Sequence, residues 1–245
     1  MCGKYQLMLP FRELISLYGV SFTEDFTCGL SDSERETECI ERVDLRPTEE
    51  VLMVCGKAGS PSLKWARWGF PKLWNTEKNN PWKSQPLINT KAETALERVT
   101  WREAARTRRC LIPATGFYEW MKANGNRYPL LFFTEKPLIS FAGVWQEFSR
   151  EDEAVTCVSI VTTAANDSVS DTHNRMPLIL EESAHYDWLH TGDTRRLRFL
   201  LGSKPPPLSH RPVSTALNRG LCRDSSLLNA DWDIHDVTTI QGTLW

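Results

Sequence analysis

Two strand-like runs, residues 118–122 and 128–133, lie on either side of the dipeptide Asn124-Gly125. Asn-Gly suits a two-residue hairpin turn, because both central residues of that turn take positive φ. The pair therefore commits the chain to an antiparallel sheet in which residues two apart share a face. Further strand-like runs occur at 51–54, 138–145, 155–162 and 177–180, and residues 109–114 form an apolar strand that ends before Gly116. Helical spacing over 11–18 is closed by Gly19, a capping box in Thr100-Trp-Arg-Glu103 opens a helix through about residue 108, and a third helix is predicted over 183–189, closed by Gly192. The helices fall irregularly between strands rather than in βαβ alternation. The expected fold class is α+β, built on antiparallel, barrel-like sheets with surrounding helices.

The chain of 245 residues is 41% hydrophobic, which supports a sizeable core, and no period of 20–50 residues repeats. Neither irregular stretch, 55–61 or 203–212 with its three consecutive prolines, separates two self-sufficient cores. A single domain over residues 1–245 is expected, with an irregular C-terminal segment from about residue 203. No apolar run reaches the ~18–20 residues that span a bilayer, and the first residues lack a signal-peptide layout. A cytoplasmic location is expected, with no membrane contact. The seven cysteines are odd in number and show no close zinc spacing, so neither a disulfide framework nor a metal site is predicted. A net charge of −2 means that any nucleic-acid contact must come from a local basic patch.

Cys2 is the most informative residue for chemistry. Methionine is removed when the next side chain is small, so the mature chain is expected to begin at Cys2. Its α-amine (pKa about 7.7–8.0) and thiol (about 8.5) would then form a 1,2-aminothiol in which both groups ionise near neutral pH. Such a residue can act as an N-terminal nucleophile, with the amine as base for its own thiol. It can also condense with an aldehyde and close to a five-membered thiazolidine. A merely tolerated second-position cysteine is the bland alternative. Gly3 favours a functional role, since it lets a bulky substrate approach the backbone.

Three downstream segments carry polar residues in suggestive patterns. Glu119 stands between Tyr118 and Trp120, where aromatic neighbours would desolvate a carboxylate and suit it to proton transfer; an exposed strand carboxylate is the alternative. His173 and Arg175 are two apart and point to one side of an extended chain, pairing a proton-transfer group with an anion-binding one, unless the histidine only caps a turn. Asn89, Lys91 and Glu93 alternate directly after an apolar pair, as a solvated strand or helix start would also do. Between residues 65 and 74, tryptophans mix with Arg67 and Lys72, a pattern that suits stacking on unpaired bases beside phosphates or, more plainly, burial of the indoles.

Taken in order, Met-Cys-Gly3, Trp68-Gly-Phe70 with Trp74 following, Leu87-Ile-Asn-Thr-Lys-Ala-Glu-Thr94, Gly116-Phe-Tyr-Glu-Trp120, Val161-Thr-Thr-Ala-Ala-Asn166, His173-Asn-Arg-Met-Pro177 and Pro212-Val-Ser214 resemble the SRAP (SOS response-associated peptidase-like) family. The resemblance implies barrel-like sheets around a single-stranded DNA groove and covalent capture of abasic sites through a thiazolidine, with possible lyase activity and removal of Met1 by the chain itself. It makes Cys2 the cross-linking residue, Asn89 its neighbour, Glu119 the acid/base carboxylate and His173 the histidine facing the opened sugar. Thr162 matches a threonine at the same pocket. Lys4, Lys91 and Arg175 match DNA-phosphate cations, and Trp74 and Pro47 match residues that limit duplex entry; Arg67 joins the DNA-binding set. The chain has lysine at positions 4 and 91 where the family pattern has arginine, which keeps the charge but loses the bidentate fork. The expected partner is single-stranded DNA containing abasic sites, engaged by a monomer without any cofactor. The rival readings are an N-terminal-nucleophile hydrolase, either an autopeptidase or a glutamine amidotransferase, and a non-catalytic reader of modified DNA.

Overall fold

The computed structural model describes residues 2–20, 24–57, 60–72, 80–220 and 222–239. Among the described residues, thirteen strands follow one another as β1 (Tyr5–Pro10), β2 (Cys39–Leu45), β3 (Glu50–Lys57), β4 (Ser60–Trp68), β5 (Asn89–Lys91), β6 (Arg109–Ala114), β7 (Gly116–Ala123), β8 (Asn126–Phe133), β9 (Ile139–Arg150), β10 (Glu153–Ala164), β11 (Arg175–Pro177), β12 (Ile179–Leu180) and β13 (Ser209–Pro212). The hairpin forms as its dipeptide demands: Asn124 and Gly125 have φ of 51° and 74°, and β7 pairs with β8 from Phe117↔Phe132 to Ala123↔Asn126.

Five strands, in the order β10-β4-β3-β6-β9, close into a barrel because β9 also pairs with β10. Around a ring of five, strand direction cannot alternate at every step, so at least one neighbouring pair must run parallel. That pair is β4–β10, at Cys157↔Arg67 and Val158↔Trp68. Gly143 is required where β9 crosses β6, since a Cβ there would lie 2.8 Å from Cys110 Sγ and from Ile112 Cδ1. The second sheet has the order β13-β8-β7-β1-β2. Tyr5 at the start of β1 joins the two layers: its ring packs edge-on against Trp68 (5.3 Å) and Phe141 (5.7 Å) of the barrel. The residues just before β1 are thereby placed at the seam between sheet and barrel.

Helix α1 (Phe11–Tyr18) ends at Gly19, in the left-handed conformation at φ 61°, as its sequence predicts. The helix expected to open with a capping box at Thr100 instead begins later, at Arg102, and ends at Thr107; its cap residue Trp101 makes no side-chain cap bond. The reason is burial of that indole against Phe70, with ring centroids 4.8 Å apart. The predicted helix over 183–189 spans Glu182–His190 and is capped by Thr191, whose amide bonds the Asp187 carbonyl before Gly192 is reached. The run at 177–180 is split: Leu178 donates to Val161 and accepts from Ala142, switching the chain from β10 to β9. The segment after 203, expected to be irregular, is so only to Leu208. Its β13 pairs with β8, and Val213, Leu217 and Leu227 are buried in a second apolar cluster with Tyr118 and Leu131.

Candidate functional site

The amide of Tyr118 donates to the Lys4 carbonyl at 3.0 Å, which lays the segment before β1 alongside β7 and sets Cys2 close to Glu119. Cys2 is fully buried, and the Asn89 Nδ2 donates to its carbonyl oxygen at 2.8 Å. Asn89 is held by the parallel register of β5 on β10, Ile160↔Asn89 to Thr162↔Lys91. Burial pushes the Cys2 thiol well above its ordinary pKa, and the neighbouring Glu119 carboxylate adds to the shift. Glu119 is itself 4% exposed; burial raises its carboxyl, against an electrostatic pull from His173. A buried carboxyl and a buried thiol thus stand together, both raised by burial, a pairing that suits proton transfer.

His173 closes the set. The amide of Arg175 donates to its Nδ1 at 2.9 Å, and the Arg175 carbonyl lies 3.1 Å from the same nitrogen, so the backbone of one residue holds the ring. An open groove of about 1160 Å³ is lined by Gly3, Lys4, Glu119, His173, Asn126 and Arg127, among others. A smaller, more apolar cleft of about 440 Å³, lined by Leu17, Ile139, His185 and Leu208, contains none of the residues singled out from the sequence. Among the described residues, no group of three or more histidine, cysteine, aspartate or glutamate side chains is arranged to hold a metal ion.

The cationic residues expected at DNA divide by surroundings. Lys91 is exposed at the end of β5. Lys4 lines the groove, but its Nζ bonds Asp44 Oδ2 at 3.1 Å and the Leu217 carbonyl at 2.9 Å; burial lowers its pKa while Asp44 opposes that. Arg175 is engaged twice. It forms a fork on Glu93, at 2.6 Å and 3.0 Å, and its Nη2 also reaches the carbonyl of Thr162 and, at 3.2 Å, its Oγ1. Thr162 is fully buried, and its hydroxyl donates to the Thr90 carbonyl at 3.3 Å. Arg67 bonds the Thr48 carbonyl at 2.7 Å and approaches the Trp82 ring, 5.8 Å from its centroid. Half-buried Pro47 lies in the turn between β2 and β3, and neither it nor Arg67 lines the groove. Trp74 lies outside the described residues.

Sequence reading missed Lys122 and Arg127, which also line the groove. Their signal was present, because they are symmetric about Asn124-Gly125 and pair directly across the hairpin. Arg127 packs 4.8 Å from the Trp120 ring centroid, and Trp120 Nε1 bonds Asn218 Oδ1 at 2.5 Å, so the hairpin presents a cation and an indole on one groove wall. Glu93 was seen only as one of an alternating polar set.

A family model described as SOS response associated peptidase (SRAP) matches residues 1–220. Abasic site processing protein YoaM of Bacillus subtilis is 28% identical over 238 residues, 94% of this chain and 99% of that protein. YedK of Escherichia coli, also named an abasic site processing protein, is 26% identical over 191 residues, 77% of this chain and 79% of its own. A solved structure of a protein from Bacteroides thetaiotaomicron superposes with a TM-score of 0.76 at 19% identity, covering 94% of this chain and all of that one, and so shares its fold.

Proposed function

Because the chain belongs to the SRAP family of abasic-site processing proteins, we propose that it captures abasic sites in single-stranded DNA as a covalent thiazolidine on Cys2. The observation that carries this reading is the position of Cys2: its carbonyl is gripped by Asn89 and its thiol lies in the electrostatic range of Glu119, beside a groove that His173 and Glu119 line. Removal of Met1 makes the Cys2 nitrogen an amine at that place.

The steps balance without a cofactor. The Cys2 amine adds to the C1′ aldehyde of the ring-opened deoxyribose, and one water leaves as the imine forms. The thiol then adds to the imine carbon, its proton passing to nitrogen, and the thiazolidine closes. Left open, the iminium would acidify the C2′ proton and invite elimination of the 3′ phosphate; ring closure removes that route and protects the strand. Burial holds the thiol protonated, so its proton must leave as the carbon–sulfur bond forms. Glu119, with its carboxyl raised by burial, is a base of suitable strength beside it. His173 offers a ring N–H to the sugar oxygen during ring opening. Lys91, Lys4 and Arg127 supply positive charge for the phosphates, with Arg67, Pro47, Thr162, Trp74 and Arg175 as the remaining proposed DNA-side residues, and the acting species is a monomer.

Intact-mass measurement after incubation with an abasic single strand tests the proposal. The expected product has the mass of the chain lacking Met1 plus the DNA, less one water. A protein with extra residues ahead of Cys2 should give no adduct, since its Cys2 nitrogen is an amide. A full yield from the blocked protein, or a product lacking DNA mass, overturns the aminothiol mechanism in favour of hydrolysis or non-covalent reading.

A further inference from the structure

Three segments meet at one guanidinium. β11 pairs with β10 through Ala164↔Arg175, Thr163↔Met176 and Thr162↔Pro177, while β5 runs on the other side of β10 and leads into the short helical turn Ala92–Thr94. Arg175, its side chain 14% exposed, reaches from β11 across Thr162 to Glu93 in that turn. Both guanidinium Nη atoms bond Glu93, Nη2 bonds Thr162 as well, and the Nε is buried. The amide of the same arginine donates to His173 Nδ1 at 2.9 Å, and its carbonyl lies 3.1 Å from that nitrogen. The side chain thus anchors a residue whose backbone holds the His173 ring.

We propose that Glu93 is a positioning residue: by holding the Arg175 fork it keeps the Arg175 backbone against His173 Nδ1 and so holds the His173 ring in the orientation the reaction uses. This rests on the reading above that His173 serves the abasic-site chemistry. A bidentate fork defines both position and angle, which a single point charge cannot do. Misplacement of a reacting group by about 1 Å costs up to ~10²-fold in rate. The exposed carboxylate of Glu93, half open to solvent, would otherwise be a poor choice beside a polyanion. Its retention there is explained by what it does to Arg175, whose hydrogen bonds and charge in turn hold the Glu93 carboxyl below its ordinary value.

The test uses the full chain carrying Glu93→Gln, Arg175→Lys or both. Cross-linking to an abasic single strand at saturating DNA should slow by about 10-fold in each single variant, and the double variant should be no slower than the worse single, since both break one unit. Affinity for an intact strand should stay within about two-fold for Glu93→Gln. A second readout needs no DNA: the ring-nitrogen chemical shifts of His173 should move away from the parent's in both single variants. If Glu93→Gln instead tightens binding of the intact strand and steepens its salt dependence, Glu93 is a competitor for a phosphate site and the positioning role is overturned. Unchanged rate and unchanged ring shifts overturn it equally. Absence of any adduct in the parent chain would instead refute the abasic-site reading, and the His173 shifts would still decide the clamp.

Discussion

At the scale of single residues, Cys2 and Glu119 make opposite demands on their surroundings. The thiol is needed for ring closure, whereas its complete burial contributes only modest packing for a small side chain in the irregular segment ahead of β1. Cys2→Ser should therefore retain the parental melting temperature within a few degrees and yet give no heat-stable adduct, because a hydroxyl is the poorer nucleophile toward an imine; a parental adduct yield from it refutes thiazolidine formation. Glu119 is a different case. Burial raises its carboxyl, so the folded state favours the protonated form. That contribution is complete below the pKa of an unfolded glutamate and is lost as pH rises through the higher folded value. Glu119→Gln never makes the costly ionisation, so its melting temperature should gain on the parent's as pH increases from the acidic side toward neutrality. Thermal unfolding across that range checks the sign: a difference that stays flat or shrinks shows that Glu119 is not held protonated by the fold. In the same variant, loss of a positioned proton-transfer group should slow cross-linking by ~10²–10⁴-fold.

At the scale of elements, the site is an affair of strand registers. The β7–β8 hairpin was legible from sequence because its turn chemistry is local, and with it came Glu119 and the symmetric pair Lys122 and Arg127. β1 was not legible as a strand, and β5 read equally as a strand or a helix start. β1 gains its partners from β2 and β7, and β5 has only three residues laid parallel on β10, so pairing with distant chain rather than local periodicity creates both. For the same reason Glu93 was not legible as the partner of Arg175, since it is the register of β11 and β5 on β10 that brings the two together. Helix ends also depended on distant contacts, as Trp101 shows by burying against Phe70 where a capping box had been expected. The register makes Lys91 the clearer probe of phosphate contact, because it projects from the exposed end of β5. Lys91→Ala should weaken binding of an intact single strand most at low salt and reduce the slope of log affinity against log salt by about 0.7. Titrations over a series of salt concentrations measure both, and an unchanged slope removes Lys91 from the DNA backbone.

At the scale of the whole molecule, the two ends of the described chain meet on the five-stranded sheet. Lys4 reaches Asp44 and the Leu217 carbonyl, while Arg223 Nη2 bonds the Asp44 carbonyl at 2.7 Å. The family match stops at residue 220, yet the fold continues beyond it. Leu227 is buried with Val43, Tyr118 and Val213; its carbonyl accepts from the Ser214 amide at 2.9 Å, and Trp232 Nε1 bonds the Val213 carbonyl at 2.8 Å. These contacts hold β13 and the turn carrying Leu217 and Asn218 against β8, which places that turn on the groove wall. Deleting residues 221–245 should therefore leave the barrel folded, since its five strands and the buried members of the main core cluster lie upstream, with Trp232 and Ile234 packing against that cluster from its edge. The deletion should cost about 2–5 kcal/mol, the range for emptying one large buried aliphatic site. It should also slow capture at limiting protein more than at saturation, because the groove wall loosens while Cys2, Asn89, Glu119 and His173 remain in place. Denaturant unfolding and adduct formation at two protein concentrations measure these effects together. A truncated chain with parental stability would show that the segment beyond residue 220 packs on the sheet without supporting it.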